Sequence, residues 1–199
     1  MRTARAFPLD EHTYWNIVAR SLVNATDQQS QLVNLVSILQ EYSTDAICQF
    51  DLRTEELLFK AHTDNLWCAA TIMNKRFVSD DNFMNFKTWL ISRGKDVYYD
   101  ALSKPDSLTK EVKTKGELYG FEEFRYAPEY AFKLKTGVEF PFGYPKDFPY
   151  SQNKYPQLEF AWQTGNRNDM RSICPQLFDL MYKKKRLIAP VKKTQKKRK

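Results

Sequence analysis

Between residues 10 and 102 the apolar residues recur at the 3.6-residue period of a helix, and most segments open on a capping residue. Tyr14, Val18 and Leu22 fall at i, i+4 and i+8, with Trp15 and Ile17 broadening the stripe. Thr26-Asp27-Gln28-Gln29 predicts a capping box, in which the Thr26 hydroxyl accepts from the third helical N–H and Gln29 reaches back. Leu32, Val33, Leu35, Val36 and Leu39 form the apolar face that follows. Ser43-Thr44-Asp45 predicts a third start, leading to Ile47, Phe50, Leu57 and Leu58. Asp64 is positioned to cap NLWCAATIMNK, whose small polar face marks a central, buried helix.

Ser79 opens SDDNFMNFKTWL, and Gly94 is placed to end it. A further helix, KDVYYDAL, stops before Lys104-Pro105, because the residue before a proline resists helical geometry. The polar stretch 103–120 reads as a loop. Pro128 suits the first position of a helix that runs to Gly137, and a last helix is predicted over Asn168–Tyr182, with Ile173, Leu177, Leu180 and Met181 inward. Alternating strand patterns are almost absent, and only six glycines are present in 199 residues. The prediction is an all-α, single-domain multi-helix bundle over residues 10–182, preceded by a short extension, residues 1–9. Residues 138–162, VEFPFGYPKDFPYSQNKYPQLEFAW, are rich in proline and aromatics. They read as an irregular arm packed on the helices.

The formal net charge of +7 is unevenly placed. Lys183, Lys184, Lys185, Arg186, Lys192, Lys193, Lys196, Lys197, Arg198 and Lys199 make a basic end without an acid. The rest of the chain holds 21 basic against 24 acidic residues. Residues 183–199 are too polar to pack, so they read as a disordered tail that could contact nucleic-acid phosphate. Three widely spaced cysteines, Cys48, Cys68 and Cys174, with no Cys/His ligand cluster, argue against structural zinc and suit a reducing compartment. No apolar stretch has the length of a signal peptide or membrane span, so a cytoplasmic protein is expected, with no membrane association.

The stretches Leu66-Trp67, Ala69-Ala70, Ser79-Asp80-Asp81, Phe83, Phe86, Trp89-Leu90, Gly94 and Val97-Tyr98 combine uncommon residues at fixed spacing. In this they resemble the bacterial family of domain of unknown function 4240, over most of residues 10–182. Tyr14-Trp15, Phe124-Arg125-Tyr126-Ala127, Trp162 and Pro175-Gln176-Leu177 extend the resemblance. Asn74-Lys75-Arg76-Phe77 stands where the family pattern leads one to expect a glycine-containing turn, and the basic tail is not a family feature. The resemblance carries no catalytic residue or activity with it. Relatives joined to DNA-binding-type modules or labelled as regulators imply a regulatory association.

The candidate polar site is Asp64, Asp80 and Asp81. Asp80 and Asp81 read first as first-turn carboxylates facing the exposed N–H groups of their helix, because adjacent aspartates project about 100° apart and rarely share one ion. A convergence with Asp64 in space would instead suit a metal-assisted hydrolase. His12 and His62 read as surface or capping residues; Trp67, Phe83, Phe86 and Trp89 read as core rather than a ligand box. Tyr98 and Tyr126 could line a pocket. No nucleophile–base pair, zinc motif or nucleotide-binding glycine loop is present, so no catalytic residue, resident metal or cofactor is assigned. The expected role is a non-enzymatic interaction or regulatory domain with a protein partner, and nucleic acid as a further contact through the tail. The alternatives are the hydrolase and an immunity- or antitoxin-like partner protein.

Overall fold

Asp10 starts the first helix by accepting a hydrogen bond from the Thr13 backbone N–H at 2.9 Å. In the computed structural model, residues 7–113, 118–151 and 154–182 are described, and the basic tail lies outside them. Nine α-helices occur among the described residues, with no strand. They are α1 (Glu11–Leu22), α2 (Gln28–Gln40), α3 (Thr44–Lys60), α4 (Asp64–Asn74), α5 (Asp80–Ser92), α6 (Lys95–Ser103), α7 (Ala127–Thr136), α8 (Arg167–Ile173) and α9 (Pro175–Tyr182). Two 3₁₀ helices, Pro105–Glu111 and Glu122–Tyr126, join α6 to α7. No helix among them is long and apolar enough to cross a membrane.

Local chemistry moves several boundaries. The α2 capping box uses Asp27 and Ser30 rather than Thr26 and Gln29. Asp27 accepts from Ser30 N at 2.7 Å, while the Ser30 hydroxyl accepts from Asp27 N. On the same helix Val33 is 59% exposed and Ile38 takes its inward place. Thr63, not Asp64, caps α4, accepting from Leu66 N at 3.3 Å. Lys75 ends α4 in the left-handed region at φ +52°, so a lysine occupies the turn where glycine was expected. Gly94 follows the end of α5 at φ +99° and serves as the first cap of α6.

Within the 103–120 stretch, read from sequence as a loop, Pro105–Glu111 form a 3₁₀ helix. Asp106 is buried, and its carboxylate accepts from the Gln176 and Leu177 backbone N–H groups at 3.2 and 2.8 Å, capping α9. The predicted last helix is two helices because Pro175 cannot continue α8 and instead begins α9. Met170 and Phe178 are buried there, whereas Leu180 is exposed.

The core runs through α1, α3, α4 and α5 as one apolar cluster. Tyr14 stacks on Phe50 at 4.4 Å, and its hydroxyl meets the Thr54 hydroxyl at 3.0 Å. Tyr98 donates to the Leu57 carbonyl at 2.6 Å. Both phenols are therefore buried with a partner, which removes the penalty for placing a hydroxyl in the core. All three cysteines are buried and unbridged.

Candidate functional site

Helix α5 carries Asp80, Phe83, Met84 and Lys87 at i, i+3, i+4 and i+7, so all four share one face. That face borders a cavity of about 390 Å³. His62, in the connection between α3 and α4, supplies one wall, and Arg125, from the second 3₁₀ helix, supplies another. Tyr155 and Pro156, from the irregular stretch before α8, close it, and Asp81 stands with Asp80 at the α5 start. The helix begins there because the Ser79 hydroxyl accepts from Asn82 N at 3.3 Å.

Lys87 is 1% exposed. Its Nζ donates to the Leu58 carbonyl at 3.3 Å and lies 3.4 Å from His62 Nδ1. The same nitrogen sits 4.2 Å from the centre of the Tyr155 ring and 5.2 Å from that of Phe83, a cation–π arrangement. Burial pushes the Lys87 amine down to about 7; the charge of Glu55 opposes that shift and Arg125 adds to it. Burial, and then the positive charge of Lys87, push His62 down to about 4. Its ring lies 4.6 Å from that of Tyr155, tilted by 31°, and hydrogen-bonds the Pro156 carbonyl.

Glu55 lies deeper, on α3. Burial raises its carboxyl above the usual range, and the Arg125 charge opposes that. Arg125 Nη2 stands 3.8 Å from Glu55 Oε1, a charge contact too long for a hydrogen bond. Tyr144 bonds Glu55, while Glu55 Oε2 is buried with no hydrogen-bond partner among the described residues. The Tyr155 hydroxyl is likewise buried and unpartnered among the described residues, and burial makes it a weaker acid, with its pKa pushed above the ordinary phenol value. Among the described residues no hydrogen bond of Arg125 is found, and this residue borders the cavity with only that long contact to Glu55. An isolated buried polar group costs about 1–3 kcal/mol; Tyr155 lines this cavity, whereas Glu55 lines an adjoining one, and Arg125 borders both.

Asp80 and Asp81 are brought to this cavity; Asp64 is not. The Asp64 backbone carbonyl instead accepts from the Trp162 indole at 3.1 Å. Among the described residues no group of three or more His, Cys, Asp or Glu side chains is placed to hold a metal ion. Phe83, Phe86 and Trp89 are buried core residues, whereas Trp67 is only half-buried. Tyr98 is structural, and Tyr126 borders a smaller cavity of about 320 Å³ together with Glu55 and Arg125.

The sequence reads His62 as a surface or capping residue and marks no site role for Lys87, Arg125, Glu55 or Tyr155. One signal was present: Lys87 interrupts an otherwise apolar face, FMNFKTWL, seven residues after Asp80. The other participants come from distant segments and become neighbours only through the fold.

No curated protein and no solved structure matches the chain. A family model does, described as protein of unknown function (DUF4240) and spanning residues 9–134, which takes in α1 to α6 and most of α7, with Glu55, His62, Lys87 and Arg125. With more than half of its length inside that match, the chain belongs to the DUF4240 family.

Proposed function

We propose that this chain is a non-enzymatic regulatory or interaction domain of the cytoplasm whose cavity beside the α5 start binds a small organic acid. The observation that carries the reading is Arg125, a guanidinium without a hydrogen bond among the described residues, on the same cavity as the unpartnered Tyr155 hydroxyl. A carboxylate accepts from both, and a guanidinium fork matches it in geometry as well as charge. Phe83, Met84 and the Tyr155 ring supply apolar wall, which suits an acid with an apolar or aromatic body. Asp80 and Asp81 at the rim disfavour further negative charge, so a monocarboxylate fits better than a polyanion. Ligand seating would act on Tyr155 and Pro156, and so on the segment a protein partner would read.

Thermal unfolding with benzoate, phenylacetate and short-chain monocarboxylates tests this. At least one should raise the melting temperature of the wild-type chain and leave Arg125→Gln unmoved. An equal rise in both proteins, or none in either, would defeat the reading.

A second reading concerns residues 183–199, where ten Lys or Arg in 17 residues would attract nucleic-acid phosphates through counterion release, without base recognition. Salt-dependent DNA and RNA binding by the full chain and by a chain ending at Tyr182 tests it. Undetectable binding by both removes nucleic acid from the account.

A further inference from the structure

On the other side of His62 and Pro156 lies a second aromatic enclosure, a groove of about 560 Å³. Trp67 meets Phe160 at 5.5 Å and 88°, and Phe160 meets Trp162 at 5.6 Å and 90°. Rings set at right angles make the corners of a box, and Phe77 stands at its edge. Both indoles are anchored from behind. Trp67 Nε1 donates to the Val78 carbonyl at 3.1 Å, and Trp162 Nε1 to the Asp64 carbonyl at 3.1 Å. The rings are therefore held in place before any ligand arrives, and their hydrogen-bonding edges are already used.

The charge of this groove has one sign. Its lining includes the Asp80 carboxylate and no lysine or arginine, and His62 is held neutral at ordinary pH by burial and by Lys87. The adjoining cavity shows what the same chemistry does when the chain supplies its own cation, with Lys87 Nζ over the Tyr155 and Phe83 rings. In the groove no such internal cation is present among the lining residues. Phe77 is 71% exposed and Phe160 47% exposed, an apolar surface with a carboxylate beside it.

We propose that this groove binds a small quaternary ammonium cation, with its methyl groups against Trp67, Phe77 and Phe160 and its charge balanced by Asp80. Full methylation suits the groove because Trp67, Phe77, Phe160 and Trp162 make much of its lining, and a quaternary ammonium has no N–H group that needs an acceptor, whereas a primary ammonium carries three. The proposal is independent of the reading of the Arg125 cavity, which takes a ligand of opposite charge.

Calorimetric titration of the full chain with choline and with its neutral isostere, 3,3-dimethylbutan-1-ol, tests it. Choline should bind about tenfold or more tighter than the isostere, as cation–π attraction and a facing carboxylate predict. Phe160→Ala should weaken choline by a similar factor, about tenfold, while its response to benzoate keeps the two sites distinguishable. Equal affinity for choline and the isostere, no choline binding, or an unchanged Phe160→Ala would overturn the assignment. A trimethyllysine peptide that binds where choline does not would overturn the small-molecule source.

Discussion

Lys87 Nζ lies 3.4 Å from His62 Nδ1, and burial weakens both bases: the amine is pushed down to about 7 and the imidazole to about 4. At neutral pH His62 is the neutral partner and can accept from the ammonium. A lysine in this position costs stability that an apolar residue would not, and it is kept beside an arginine, a carboxyl and a phenol whose bonding is incomplete.

Replacing that lysine separates stability from binding. Lys87→Met keeps the length of the side chain and removes the buried charge, so it should stabilise the fold by about 1–3 kcal/mol at pH 6. The sign with pH follows from linkage. The folded amine has the lower affinity for protons, so the wild type is penalised fully below pH 7 and recovers as pH rises towards the unfolded value of 10.5. The advantage of Lys87→Met in urea unfolding should therefore shrink between pH 7 and pH 10.

His62 sets the acid limb. Its folded value of about 4 lies below the ordinary 6.5, so the unfolded chain binds more protons between them. Stability should fall as pH drops from 6.5 to 4. The ring is partly open to solvent, so screening limits the loss to about 1–2 kcal/mol. His62→Phe, which preserves a ring beside Tyr155, should flatten this limb in denaturant titrations at pH 4.5 and 6.5.

Lys75 holds a left-handed backbone at the end of α4, with φ +52°. A β-carbon makes that conformation cost about 1 kcal/mol, and glycine relieves it. Lys75→Gly should raise stability by about 0.5–1 kcal/mol in chemical unfolding, after the greater freedom of glycine in the unfolded chain is offset.

Asp106 joins the 3₁₀ segment after α6 to the first turn of α9 through two backbone N–H groups. Asp106→Ala leaves both donors without that carboxylate and should destabilise by about 2–3 kcal/mol. Amide exchange should accelerate first in residues 176–182.

Helices α1 to α7 were legible because periodic apolar faces and side-chain caps are local signals, read within a few residues. What escaped was cooperative. Ser30 displaced Gln29 from the capping box because the Asp27 carboxylate is the better acceptor at the cap. Pro175 ended one helix by starting another, and the Pro105–Glu111 segment is tied down by Asp106 reaching a helix about 70 positions away. The site was half legible. The SDD helix start does border the candidate cavity, and a carboxylate pair is visible in any sequence. The joining of Glu55, His62, Lys87, Arg125 and Tyr155 depends on four separate segments meeting, which no spacing encodes. Asp64, close to the others in sequence, points its backbone to a different contact.

Carboxylate recognition by Arg125 is measured most directly by calorimetric titration of benzoate into the full chain and into Arg125→Gln, with benzamide as the uncharged control. The substitution leaves residues 183–199 intact, so any anion binding at the basic tail is common to both proteins. Benzoate should bind the wild type saturably at one site; its binding to Arg125→Gln, and that of benzamide to the wild type, should be at least about tenfold weaker, since a charged hydrogen-bond pair is worth about 1.5–3 kcal/mol. Equal benzoate affinity in the two proteins would contradict carboxylate recognition by Arg125.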